Sequence, residues 1–141
     1  MISERMKTLH QMLCGMGHFS KQTVEQSIND YLGSKDALEA HRATRQRTYS
    51  SLEMQEGIED NIYEIIVRFQ PVATDLRLLK SYMQTAYHFA RFCRYALDIA
   101  EIQAYVIRPE DCKLSYAPVK EIGNKVIDMV SISIQALEDL D

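Results

Sequence analysis

The sequence predicts an all-α fold, an antiparallel bundle of three long helices plus a fourth. Apolar residues recur at steps of four and three over long stretches, which is the helical period rather than the strand period. The five glycines and three prolines of the 141 residues gather at a few places, so the joints are few. No segment of useful length alternates in the way a strand would.

The first helix is expected from about Ser3 to Leu32, with Met6, Leu9, Leu13, Met16, Ser20, Thr23, Ser27 and Tyr31 on one face and Val24 and Ile28 shifted by one. Gly15 and Gly17 each cost about 1 kcal/mol relative to alanine in a helix interior, which is tolerable where another backbone comes close. Gly33 stands just beyond the last turn, a common place for a helix to stop. Asp36 is placed to cap a second helix, with Glu39 as its reciprocal partner. That helix runs to Phe69 on a face reading Ala37, His41, Thr44, Thr48, Leu52, Gln55, Ile58, Ile62, Ile65 and Phe69. Its N-terminal half is polar and basic and is expected to be exposed or to face a site.

Gln70-Pro71 makes a tight joint, since the residue before proline disfavours the helical region. The third helix is expected from Gln70 to Arg108, with Pro71 in its first turn, where a missing N–H costs nothing. Val72, Leu76, Leu79, Met83, Ala86, Ala90, Cys93, Leu97, Ala100, Ala104 and Ile107 form one row. Leu78, Tyr82, Phe89, Phe92, Ala96, Ile99 and Val106 form a second. A helix apolar over half its circumference touches neighbours on several sides, so this is the expected central helix, with Leu76 and Leu79 in the core. Pro109-Glu110-Asp111 marks a break. Pro118 opens a fourth helix running almost to Asp141, with one stripe of Val119, Ile122, Val126, Met129 and Leu137 and another of Ile127, Val130 and Ile134. The chain thus divides into residues 1–108 and an additional helix at 109–141. The start of the fourth helix and the Leu13–Gly17 region of the first have similar roles, a candidate internal repeat.

Net charge −4 and a pI near 5.6 argue against a general nucleic-acid binder, which needs a basic surface to neutralise phosphates. Cys14, Cys93 and Cys112 are odd in number and contain no CxxC, a pattern of reduced thiols in a cytoplasmic protein. The N-terminus has no signal-like apolar core, and eighteen apolar residues never run together, so no membrane span is expected. His10, His18, His41 and His88 lie far apart with no Glu-x-x-His pair, against a di-iron carboxylate bundle. No cysteine has an obvious base partner and no phosphate-binding glycine loop is present, so catalysis and cofactors are not expected.

The joint reads Gln70-Pro71-Val72-Ala73-Thr74-Asp75-Leu76-Arg77, which resembles the Gln-Pro-hydrophobic-Ala-x-Asp-Leu-Arg joint of the PhoU family. Gly57 to Asp60 and Ala96 to Glu101 fit the same pattern, and the resemblance covers roughly residues 5–107. Pro71, Asp75, Leu76 and Arg77 are the joint residues that carry it. The resemblance implies a cytosolic regulator of phosphate uptake or phosphate-responsive signalling, meeting a phosphate-transporter ATPase or a sensor kinase through protein contact. It also implies that the fourth helix opens a second repeat. Family members hold metal clusters through acidic pairs four residues apart. Ala90 and Arg94 stand where those carboxylates would be, and helix 2 has no acids near Thr48 and Leu52, so no metal is expected there. Ala90→Glu with Arg94→Asp would restore half such a site.

Asp75 favours the positive start of its helix, and Arg77 is expected to pair across the joint. Arg42, Arg45, Arg47, Arg91 and Arg94 are candidates for an anion or partner-protein patch; the bland reading is a solvated face with an Arg94–Asp98 pair. Glu56, Glu59, Asp60 and Glu64 form an acidic run, a solvated face or a displaced metal site. A homodimer is expected, built on the small-residue row of helix 3 and the apolar stripes of helix 4. Two alternatives to the phosphate-linked role stand beside it: a self-associating helical scaffold unrelated to phosphate, and a metal-binding bundle.

Overall fold

The computed structural model describes residues 2–33, 36–106 and 116–140. Its helices are α1 (Ile2–Leu32), α2 (Ala37–Phe69), α3 (Ala73–Tyr105) and α4 (Tyr116–Glu138). Ile107, Arg108, the expected break at Pro109–Asp111 and Cys112 lie outside the described residues. Ser20 reaches Phe89 and Ser27 reaches Ala96, so α1 and α3 run the same way. Arg5 meets Glu64 and Arg47 meets Phe19, so α2 runs opposite to both. Ile134 lies over Gly17 and Gly123 against Ile28, so α4 returns antiparallel along α1. The result is the antiparallel all-α bundle that the periodicity predicts.

One apolar cluster joins all four helices. It holds Leu9, Leu13 and Met16 of α1, Ile58, Ile62 and Ile65 of α2, Leu79, Tyr82, Ala86, Phe89 and Ala90 of α3, and Val130, Ile134 and Leu137 of α4. Toward the other end of α1 a smaller apolar cluster of Val24, Ile28 and Ala96 is interleaved with buried hydroxyls. Ser20 Oγ donates to the Phe89 carbonyl at 2.9 Å, and Ser27 Oγ donates to that of Ala96 at 2.7 Å. From α2, Thr48 Oγ1 donates to the Cys93 carbonyl at 3.1 Å. Hydroxyls this short reach a neighbouring backbone only where the helices approach closely, and alanine and cysteine on α3 permit that approach. Buried hydroxyls so satisfied escape the desolvation penalty that unpaired ones would incur.

The structure revises several sequence expectations. α1, rather than α3, is the helix against which all three others pack. α3 starts at Ala73, so Pro71 lies in the joint and not in the first turn. Gln70 caps α2 in the left-handed region (φ 47°), donating its N–H to the Ile66 carbonyl, and Ala73 also has φ 47°. Two non-glycine residues at positive φ make the joint a strained turn. Leu79 is fully buried as expected, whereas Leu76 is 44 % exposed. The joint places the first turn of α3 beyond the end of the core, and Val72 to Arg77 all lie on the surface. Along α2, Ser51 takes the interior position and Leu52 is 50 % exposed. A small hydroxyl fits the close packing there, and its Oγ donates to the Thr48 carbonyl at 2.7 Å. The polar N-terminal half of α2 is not simply exposed, because His41, Thr44 and Thr48 are buried.

Asp36 caps α2, its carboxylate accepting from the Leu38 and Glu39 amides. Gly17 faces the Phe89 and Ile134 side chains rather than a backbone, and a Cβ there would stand too close to Phe89 Cζ to be kept without a shift. The small residues Ala86, Ala90, Cys93 and Ala100 are buried inside the bundle. They admit α1 and α2, so they offer no surface to a second chain. In α4 the stripe Ile127–Val130–Ile134, with Leu137, turns inward, while Ile122 and Met129 are largely exposed.

Candidate functional site

The five arginines do not share one surface. Arg47 turns inward across α1. Its Nε donates to Thr23 Oγ1 at 2.8 Å, its Nη2 to the Phe19 carbonyl at 3.1 Å, and its guanidinium lies 4.0 Å from the Phe19 ring centre. That arginine ties α2 to α1 and is not available as a patch residue. Arg91 is held on the outside of α3 between Tyr87 and Tyr95, one turn to either side. Its guanidinium carbon stands 5.6 and 5.4 Å from the two ring centres, and it donates to both hydroxyls. Arg94 pairs with Asp98 at 3.6 Å. On α2, Arg45 lies over the Tyr49 ring and donates to its hydroxyl at 3.4 Å. The Tyr49 hydroxyl is the main group that raises the Arg45 pKa, with a lesser contribution from Glu101 of α3. Arg42 is exposed and enters no ion pair among the described residues.

Each i,i+4 Arg–Tyr contact fixes a long side chain against a ring at the surface, which lowers the entropy lost when a partner covers it. Tyrosine and arginine are the residues that most often anchor protein interfaces. The Tyr87–Arg91–Tyr95 ladder is thus suited to protein contact more than to holding a small anion, because its donors are already engaged.

At the joint, Asp75 and Arg77 are both exposed, and Arg77 forms no ion pair across the joint among the described residues. Ala90 is only 4 % exposed. Ala90→Glu would bury a carboxylate in the bundle and cost stability, so the expected half-site would not form. Among the described residues no three His, Cys, Asp or Glu side chains are grouped to hold a metal ion. In the acidic run, Glu64 binds Arg68 at 3.0 Å and Arg5 at 3.6 Å, and Glu59 accepts from Gln55 at 2.7 Å.

Sequence reasoning missed one pairing. Cys14 Sγ lies 3.5 Å from His10 Nε2, and His10 Nδ1 lies 2.8 Å from the Tyr82 hydroxyl. The i,i+4 spacing of His10 and Cys14 on one helix was the signal. Burial, and then the Glu138 carboxylate, push the Cys14 thiol up from its ordinary pKa. A nucleophilic cysteine needs the opposite shift, so the pair lacks the electrostatics of a catalytic dyad. Near the N-terminal end of α2, His41 is nine-tenths buried beside an open pocket it shares with Asp98, Glu101 and Tyr105. Its Nε2 stands 3.7 Å from Glu101, without a hydrogen bond.

The family model described as "PhoU domain" matches residues 13–103, more than half of the chain. The chain belongs to the PhoU family. Two curated relatives are similar along most of its length. A phosphate-specific transport system accessory protein PhoU homolog of Pseudomonas aeruginosa is 24 % identical over 129 residues, covering 92 % of this chain and 52 % of the relative. The protein of the same description from Pseudomonas putida is 26 % identical over 120 residues, covering 84 % of this chain and 47 % of the relative. The chain therefore spans about half the length of these relatives. No solved structure matches it. The PhoU domain match runs from the middle of α1 almost to the end of α3, the part of the fold around the Gln70–Arg77 joint. No helix among the described residues is long and apolar enough to cross a membrane.

Proposed function

We propose that this PhoU-family chain is a cytoplasmic regulator that acts by protein contact on phosphate uptake or phosphate-responsive signalling. The observation that carries this reading is the family match over residues 13–103, together with relatives described as accessory proteins of phosphate-specific transport. The ATPase of a phosphate transporter and a phosphate-linked sensor kinase are the partners to test. The contact surface on this chain is the exposed ladder of Tyr87, Arg91 and Tyr95 with neighbouring Arg94. Its composition suits an interface, and its side chains are preset by their own contacts. No reaction is assigned to this chain.

Purified chain should bind one of the two partners in a titration, and Arg91→Glu with Arg94→Glu should weaken that binding at least about tenfold, since reversed charges at an interface cost well over 1.4 kcal/mol. Binding to neither partner would overturn the reading. Unchanged binding by the double variant would move the contact off α3.

A further inference from the structure

A second stripe of α2 carries a charge pattern that no ion pair among the described residues satisfies. Leu38, Arg42, Arg45 and Tyr49 are followed by Leu52, Glu56, Glu59 and Tyr63. The steps alternate four and three throughout, which keeps all eight on one face of a single helix. Leu38, Tyr49, Leu52 and Tyr63 are each about half exposed, at 49, 51, 50 and 55 %. Arg42 and Glu56 are exposed and form no ion pair among the described residues, Arg45 donates to its own Tyr49, and Glu59 accepts from Gln55 of the same helix. In order the stripe reads apolar, two basic, two apolar, two acidic, apolar.

That order is self-complementary about the point midway between Tyr49 and Leu52. We infer that two copies of this chain associate through α2, antiparallel and related by a two-fold axis at that point. Leu38 then faces Tyr63 of the second copy, Arg42 faces Glu59, Arg45 faces Glu56, and Tyr49 faces Leu52. Every one of these pairings occurs twice, as an isologous interface requires. The parallel arrangement sets arginine against arginine and glutamate against glutamate, so the same charges that favour one orientation exclude the other. The stripe is about 38 Å long at 1.5 Å per residue, with apolar contacts at its centre and both ends to exclude water from the charge pairs. This surface lies apart from the α3 ladder, and the inference stands whether or not the chain regulates phosphate uptake.

The test is sedimentation equilibrium of the full 141-residue chain at micromolar concentration and low salt, with circular dichroism confirming that each variant keeps its helix content. The wild-type chain should be a dimer that weakens as salt is added. Arg45→Glu alone and Glu56→Arg alone should each raise the dimer Kd at least about tenfold, because each places two like-charged pairs in contact. An equimolar mixture of the two variants should recover dimers, as should the chain carrying both substitutions. A wild-type monomer would overturn the inference. So would a dimer indifferent to both reversals, or reversals that the mixture fails to rescue. A dimer broken instead by Ile122→Glu with Met129→Glu would place the interface on α4 and overturn it equally.

Discussion

α3 and α4 carry comparable apolar periodicity, yet the bundle treats them differently. α3 is enclosed by α1 and α2 along most of its length, and Leu79, Ala86, Cys93 and Ala96 are all but inaccessible. α4 touches the bundle chiefly through α1. Val130 and Ile134 are buried against it, while Ile122, Met129 and Ile132 are 62, 68 and 69 % exposed. An apolar stripe states what a helix can bury; the number of neighbours decides what it does bury. The small residues of α3 draw two helices close. The apolar excess of α4 has a single flank to meet.

The largest effects should fall where the two helices are enclosed alike. Leu79→Ala on α3 and Ile134→Ala on α4 should each cost about 2–5 kcal/mol in denaturant unfolding, the range for emptying a packed aliphatic site. Leu76→Ala and Ile122→Ala should stay within about 1 kcal/mol, because neither vacates a cavity. A large loss at Ile122 would mean that the outer flank of α4 is covered, and the comparison would fail.

A smaller effect separates the two flanks of α1. A Cβ at position 17 would stand 2.9 Å from Phe89 Cζ and 3.1 Å from Ile134. Gly17→Ala should therefore destabilise by about 1–3 kcal/mol through overpacking, and should loosen α4 in particular. Nothing lies within 4 Å of a Cβ at Gly15. Gly15→Ala should stabilise by up to about 1 kcal/mol through helix propensity alone. Thermal melts of the two variants with opposite signs would sharpen the contrast; equal signs would break it.

The smallest effect probes the polar seam. Ser27→Ala removes one donor to the Ala96 carbonyl and should cost about 0.5–1.5 kcal/mol, a typical single hydrogen bond. Hydrogen exchange should show faster local opening of the α1–α3 contact at that level. No change would mean that close packing, rather than the hydroxyls, holds this half together.

The sequence by itself determined the four helices and the buried face of α1, because the helical period, the Asp36 cap and the Gln70-Pro71 stop are local chemistry. Of the face read for α1, Leu9, Leu13, Met16, Ser20, Thr23 and Ser27 are all buried. The joint motif likewise pointed to the family on its own residues. Only the tertiary structure decided which exposed charges are spent. Arg47 and Arg45 are two residues apart, yet one crosses to Phe19 and Thr23 while the other stays on the surface with Tyr49. Leu76 and Leu79 read alike as periodic leucines, but one lies beyond the end of the core and the other inside it. Periodicity fixes the direction of a side chain around its own helix. Burial depends on whether another helix has been brought to that height and that side, which is set by contacts between residues distant in sequence.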